Sequence, residues 1–125
     1  MESCYPWGKG IKMKKINLVF VSSPYASIKC KDEDRNYYAK KIAIEACHQV
    51  RLNGYEPLSP VLAFMYIYNE LDRIRVLQNC EELLKVCKYY YFYNCEFSKH
   101  SKGMAYERDL AHKLGVKELK FSLFD

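Results

Sequence analysis

A hydroxyl-rich loop that leads into a helix carrying a glutamate is the part of the sequence best suited to chemistry. The loop covers residues 98–104 and contains Ser101 and Gly103. The backbone N–H groups at the start of the predicted helix, over residues 101–113, point outward and favour a bound phosphate or carboxylate. The same residues also fit an ordinary helix N-cap at Ser101 that binds nothing.

Glu107 is the candidate reactive group of that helix. It shares a helix face with Ala111 and Leu114, which follow at four and seven residues. This face is expected to pack on a sheet near the ends of its strands. The Glu107 carboxylate is therefore either solvated at the helix edge or held in a cleft. Asp109 points in another direction, and we expect it on the surface.

The elements that must position these residues alternate between strand and helix along the chain. The predicted strands cover residues 16–21, 55–58, 89–93 and 116–121. The predicted helices cover residues 33–53, 66–86 and 101–113, and the second draws its apolar face from Leu71, Ile74, Leu77, Leu83 and Leu84. Gly54 and Gly115 stand where a C-terminal glycine is expected. This order predicts a three-layer α/β/α sandwich with a four- or five-stranded parallel sheet, flavodoxin- or Rossmann-like.

Ligands of an open parallel sheet bind beyond the carboxyl ends of the strands, in the loops that lead into helices. Three such loops cover residues 22–25, 59–61 and 98–104. Their candidate ligand-binding residues are Ser22, Ser23, Pro24, Tyr25, Ser59, Pro60, Ser101, Gly103 and Met104.

Length and composition bound the protein class. The chain has 125 residues and a formal net charge of +5, and half of its residues are apolar. These values predict a single domain over residues 13–125, preceded by a flexible extension over residues 1–12. No apolar run approaches the roughly 18 residues of a membrane span, and no signal-peptide pattern is found. We therefore expect a cytoplasmic protein without a membrane partner.

The cysteines and the basic residues narrow the function further. Six cysteines include no CxxC pair and no metal-like cluster, so we expect reduced thiols and no metal site, although an even count also permits three disulfides. Lysine and arginine are spread along the chain rather than gathered in a stripe, which argues against a nucleic acid polymer as partner. A mildly basic surface is compatible with a small anionic ligand.

Four motifs, taken in order over residues 15–119, resemble the nucleoside 2-deoxyribosyltransferase-like superfamily. They are SSPY at residues 22–25, Arg35-Asn36 at a helix start, G-x-x-P-x-S-P at residues 54–60, and S-x-G-M-x-x-E-x-x-x-A-x-x-x-G at residues 101–115. The last motif is the most specific. The second adds Asn36 to the candidate ligand-binding residues.

The resemblance implies roles for these residues. The superfamily includes deoxyribosyltransferases and deoxynucleoside 5′-monophosphate N-glycosidases, and it implies that Glu107 is the nucleophile that attacks the anomeric carbon. Six residues before this glutamate, the transferases usually carry an aspartate, whereas the glycosidases carry a serine that contacts the 5′-phosphate. Ser101 stands there and favours a 5′-phosphorylated ligand. The residues implied to hold the ligand are Ser22, Ser23, Ser101 and Gly103 around the phosphate, and Tyr25 beside the sugar or base.

The superfamily also uses an aspartate, on the helix before the third strand, to protonate or orient the leaving base. Cys80 falls at or near that place, and Glu81 beside it would take the role after a shift of register. Two hypotheses follow, neither requiring a cofactor. The first is an N-glycoside hydrolase or transferase with Glu107 and Glu81 as catalytic residues. The second is a non-catalytic nucleotide-binding protein that sequesters or senses a nucleotide-derived ligand.

The helices also carry more aromatic residues than a small monomer usually exposes to water. The tyrosines concerned are Tyr37, Tyr38, Tyr66 and Tyr68. We therefore expect a homodimer or a higher homo-oligomer. The resemblance implies the same, because members of the superfamily commonly complete their site across a subunit interface.

Overall fold

The computed structural model describes residues 16–121, which form a four-stranded parallel sheet with helices on both faces. The strands are β1 (Leu18–Ser22), β2 (Glu56–Leu58), β3 (Tyr89–Phe92) and β4 (Lys117–Leu119). The helices are α1 (Arg35–Leu52), α2 (Pro60–Phe64), α3 (Arg73–Val86) and α4 (Lys102–Lys113), with 3-10 turns at Asp32–Asp34 and Glu70–Asp72. The predicted fold class is confirmed, whereas the predicted extension over residues 1–12 lies outside the described residues.

The sheet order is β2-β1-β3-β4, so the two apolar strands β1 and β3 lie at its centre. Continuous apolar runs are typical of parallel strands that are covered on both faces. Strand β2 pairs with one edge of β1, and β3 pairs with the opposite edge. The loops after β1 and β3 therefore diverge, and the crevice between them is where such sheets bind ligands.

Alternation along the strands decides which helix covers which face. Val19 and Val21 of β1 pack in one cluster with Ala46 and Val50 of α1. Phe20, between the two valines, points to the opposite face. It packs there with Cys80 and Leu84 of α3, Tyr90 of β3 and Ala111 of α4. Helices α3 and α4 therefore cover the sheet face that carries Phe20, and α1 covers the face that carries the two valines. The sheet separates these two helical layers.

The predicted helix over residues 66–86 is wrong in its first third. A separate short helix, α2, precedes this region, and Ser59 caps it because the Ser59 Oγ accepts a hydrogen bond from the Leu62 N–H at 3.2 Å. Asn69 and Asp72 then form a capping box that starts a new turn before α3. Because these polar caps start new turns, α3 begins at Arg73 and not at residue 66, where the apolar spacing predicted it.

The apolar face predicted for that helix is correspondingly incomplete. Leu71 is 94 % exposed and Ile74 is 75 % exposed, whereas Leu84 is fully buried. Both predicted helix-terminating glycines are confirmed, since Gly54 and Gly115 adopt φ values of 86° and 74° directly after α1 and α4. Within residues 16–121, no helix combines the length and apolarity that crossing a bilayer requires.

Replacing Phe20 with alanine tests whether Phe20 joins the sheet to α3 and α4 in the core. Phe20 is fully buried between β1, α3 and α4, so Phe20→Ala is expected to lower the free energy of unfolding by about 3–5 kcal/mol. The control Leu71→Ala alters an exposed side chain and should change that free energy by less than about 0.5 kcal/mol. Urea denaturation followed by circular dichroism measures both. Equal losses would mean that Leu71 belongs to the core.

Candidate active site

A cavity of about 620 Å³ opens at the carboxyl ends of β1 and β3. It is bounded by the loop after β1, by α2, by the first half of α3 and by the start of α4. Its volume lies within the range of sites that hold small molecules. We call it the strand-end cavity. It coincides with the crevice expected from the sheet order.

Helix α4 brings Glu107 to this cavity. Ser101 caps the helix, with its Oγ accepting a hydrogen bond from the Met104 N–H at 3.2 Å. Ala111 packs against the sheet without exposure, and Glu107 lies one turn before it on the same face, only 8 % exposed. The carboxyl group is therefore held in a cleft rather than solvated. Leu114, predicted on this face, is 42 % exposed because the helix ends at Lys113.

Side chains from three elements meet at the Glu107 carboxyl group. The Ser22 hydroxyl, at the end of β1, donates a hydrogen bond to Glu107 Oε1 at 2.8 Å. The Cys80 thiol of α3 makes a hydrogen bond with the same carboxyl group. The Tyr90 hydroxyl of β3 donates to the backbone oxygen of Met104 at 3.3 Å and lies beside Ser22. These contacts fix the carboxyl group against the end of the sheet.

Burial sets the proton affinity of this group. It raises the pKa of the Glu107 carboxyl from its ordinary 4.5 to about 7. The hydrogen bonds from Ser22 and Cys80, and the positive charge of Arg73, oppose the rise without cancelling it. Burial and the neighbouring carboxyl also raise the pKa of the Cys80 thiol far above its usual range, so the thiol stays protonated. A carboxyl group that titrates near neutral pH in a cleft is a candidate for catalysis.

Ser23 supplies a second unusual group. Its side chain lines the cavity and is 5 % exposed, yet its hydroxyl has no hydrogen-bond partner among the described residues. An unsatisfied buried hydroxyl costs about 1–3 kcal/mol. A polar ligand atom that bonded to Ser23 would recover that cost, so the cavity is preorganised for a polar ligand at this point.

Positive charge gathers around the start of α4. Arg73 and Lys102 line the cavity beside Ser101 and Gly103. A Cβ on Gly103 would lie 3.7 Å from Nη2 of Arg73, so this guanidinium lies over the first turn of α4. The positive end of the helix dipole adds to these charges. Together they suit an anion such as a phosphate.

The structure brings most of the predicted site residues together. Those that line the cavity are Ser23, Tyr25, Pro60, Ser101, Gly103, Met104 and Glu107. Ser22 is outside the lining itself but donates a hydrogen bond to Glu107, which lines the cavity. The remaining predicted ligand contacts, Pro24, Asn36 and Ser59, lie outside the lining. Asn36 accepts a hydrogen bond from the Tyr25 hydroxyl, and Ser59 caps α2.

The residues contributed by α3 differ from the prediction. Glu81 is not among the residues that line the cavity, whereas Cys80 lines it and faces Glu107. Arg73 also lines the cavity, and the sequence analysis did not identify it. Its only local signal was the Asn69–Asp72 capping box, which opens the 3-10 turn directly before α3.

Comparison with known proteins assigns the chain to a family. The family model of DUF7768, a domain of unknown function, matches residues 17–121. The chain therefore belongs to this family, and the matched range contains all four strands and the whole strand-end cavity. No curated protein and no solved structure matches the chain.

The burial of Glu107 predicts a specific pH dependence of stability. Because its pKa in the folded protein, about 7, exceeds the ordinary 4.5, the native state binds more protons than the unfolded state between these values. The stabilising contribution is complete below pH 4.5 and is lost as the pH rises to about 7. Relative to Glu107→Gln, the wild-type protein should lose about 3 kcal/mol of unfolding free energy over this interval.

Urea denaturation at a series of pH values measures this difference. The control is Asp109→Asn, which removes an exposed carboxyl group from the same helix and should retain the wild-type pH dependence. A Glu107→Gln protein with an unchanged dependence would contradict the raised pKa.

Proposed function

We propose that the protein binds a (deoxy)nucleoside 5′-monophosphate in the strand-end cavity and cleaves or transfers its N-glycosidic bond with Glu107 as nucleophile. The observation that carries this proposal is the buried Glu107 carboxyl group, bonded to Ser22 and Cys80 at a cavity that the positively charged Arg73 and Lys102 also line. The resemblance of residues 101–115 to the nucleoside 2-deoxyribosyltransferase-like superfamily supports the same assignment.

The phosphate is assigned to the start of α4. Free N–H groups of the first helical turn, the Ser101 side chain and the unpartnered Ser23 hydroxyl provide hydrogen bonds. Arg73 and Lys102 provide countercharge. Gly103 keeps the helix backbone below the Arg73 guanidinium free of a side chain.

The spacing along α4 suits one nucleotide. Glu107 follows Ser101 by six residues, or about 9 Å along the helix axis. Side chains slant toward the N-terminus of a helix, which brings the carboxyl group nearer to the phosphate end. The apolar part of the cavity lining, formed by Phe64, Met65, Val76 and Leu77, is suited to the flat face of a base.

The reaction then proceeds in two displacements. A carboxylate oxygen of Glu107 forms a bond to the anomeric carbon as the N-glycosidic bond breaks and its electron pair passes to the base. Water then attacks the anomeric carbon in a hydrolase, or a second base does so in a transferase. Either attack releases the Glu107 carboxylate. Ser22 and Cys80 orient the carboxyl group through their hydrogen bonds.

A non-catalytic nucleotide-binding protein is the second candidate. It is favoured by Cys80, which the resemblance puts at or near the place of the aspartate that assists the leaving base, while Glu81 lies outside the cavity lining. The phosphate contacts would serve a binding protein equally well. Such a protein would sequester or sense a nucleotide-derived ligand.

Self-association and location are part of the proposal. Tyr37, Tyr38 and Tyr66 are exposed, which supports the expected homodimer or higher homo-oligomer. The five cysteines within residues 16–121 are free thiols, as suits the reducing cytoplasm. Both statements stay predictions.

Glu107 variants separate catalysis from binding. With the four deoxynucleoside 5′-monophosphates, or with ribonucleotides, the wild-type protein is expected to release free base. Glu107→Gln should reduce that release by about a thousandfold or more, whereas Asp109→Asn should retain it. Binding should survive Glu107→Gln, or tighten, because a negative charge near the phosphate is removed. Chromatography of the free base and titration calorimetry measure the two effects.

Full activity in Glu107→Gln would refute the nucleophile assignment. Tight binding by the wild-type protein without base release would instead favour the second candidate. If the wild-type protein neither binds these nucleotides nor releases free base, both candidate functions are rejected.

Ser101→Ala tests the phosphate site. It should weaken binding of a nucleoside monophosphate by about tenfold while leaving the bare nucleoside less affected. Ser59→Ala is the matched control because it also removes a serine N-cap, in this case from α2. Both variants are expected to lose about 1 kcal/mol of unfolding free energy. Equal losses of affinity for monophosphate and nucleoside would place the phosphate elsewhere.

A further inference from the structure

The strand-end cavity offers a single carboxyl group to a bound nucleotide. Among the side chains that the structure describes, Glu107 is the only carboxyl group that lines this cavity. The group that faces it is the Cys80 thiol, which burial makes a weaker acid than usual. The site therefore offers a nucleophile beside the base, but no carboxylic acid to protonate a leaving group.

The other titratable side chains of the lining are not carboxylic acids. His100 and Lys102 flank Ser101 in the sequence, and the Arg73 guanidinium lies over the first turn of α4. The Tyr25 hydroxyl donates to Asn36. The Tyr68 hydroxyl, which accepts a hydrogen bond from the Asn79 side chain, is a phenol.

This composition matters because the leaving base receives an electron pair. A neutral purine or pyrimidine must take up a proton as it leaves, or depart as an anion, and a positioned general acid accelerates that step. A pyridinium base already carries a positive charge while it is bonded to the sugar. The electron pair neutralises its ring nitrogen, so it leaves as a neutral molecule without any proton.

Charge and polarity beside Glu107 also suit a cationic ring. The ionised Glu107 carboxylate attracts it in competition with the Arg73 guanidinium, whose charge acts on the same carboxyl group from α3. The apolar lining residues Phe64, Met65, Val76 and Leu77 strengthen the attraction by excluding water. A cation beside Glu107 also favours the ionised form of the carboxyl group, which is the form that attacks. The substrate would thereby activate its own nucleophile.

Building on the proposed function, we infer that the substrates of this site are pyridinium nucleotides, with nicotinamide mononucleotide as the simplest example. A Glu107 oxygen forms a bond to C1′ while the bond from C1′ to the ring nitrogen breaks, and neutral nicotinamide leaves. Water then attacks C1′, the ester C1′–O bond breaks, and its electron pair returns to the Glu107 carboxylate. The products are nicotinamide, ribose 5-phosphate and the proton that the water releases to solvent.

Parallel assays distinguish this inference from the proposed function. Wild-type protein, Glu107→Gln and Asp109→Asn are each incubated with nicotinamide mononucleotide and with AMP, dAMP, dGMP, dCMP and dTMP. Chromatography measures nicotinamide and free base. We expect nicotinamide release with a kcat/KM at least about 100-fold above that for any neutral base, the smallest advantage that the lack of a carboxylic acid beside the leaving group implies. Glu107→Gln should abolish this release, whereas Asp109→Asn should retain it.

The pH profile provides a second measurement. The kcat/KM for nicotinamide release reports the ligand-free protein, so it should rise with pH through about 7, the pKa of Glu107, and then stay level. A fall at higher pH would indicate a general acid and would contradict the inference. Release of neutral bases without nicotinamide overturns the inference but leaves the proposed function intact. Release from no substrate overturns both, whether or not the nucleotides bind.

Discussion

The hydrogen bond from Ser22 to Glu107 connects the end of the central strand to α4 across 85 residues of chain. It forms only if β1 and β3 lie side by side and if α4 starts at Ser101, since one residue of helical rotation would turn Glu107 by about 100° away from the sheet. The sheet order, the N-cap of α4 and its buried face are therefore all required for this contact. The strand-end cavity exists because these conditions are met together.

The same region concentrates the energetically unfavourable features of the fold. A carboxyl group is buried, and the neighbouring Ser23 hydroxyl lacks a partner among the described residues. Elsewhere the interior of residues 16–121 is mainly apolar, with valine, alanine, leucine and tyrosine on the two faces of the sheet. Departures from good packing that gather at one end of a sheet are expected where a protein binds or transforms a ligand.

The composition of α3 gives the cavity its individual chemistry. Arg73 brings positive charge over the start of α4, and Cys80 puts a neutral thiol against the carboxyl group. Both residues face the cavity from the same helix, two turns apart. Under the proposed function, what α3 presents to Glu107 therefore decides between a general N-glycosidase, a selective one and a binding protein, while α4 and the β1 loop provide the frame.

The sequence by itself determined the features that depend on near neighbours. The aromatic run at residues 89–93, the valines of β1, the helix-ending Gly54 and Gly115, and the face shared by Glu107 and Ala111 all depend on local spacing and backbone preference. Only the tertiary structure decided whether Glu107 was solvated or enclosed, which residue of α3 faced it, and that Ser23 was buried without a partner. The physical reason is that these outcomes depend on the angle at which α3 and α4 pack on the sheet, and that angle arises from contacts between residues far apart in the chain.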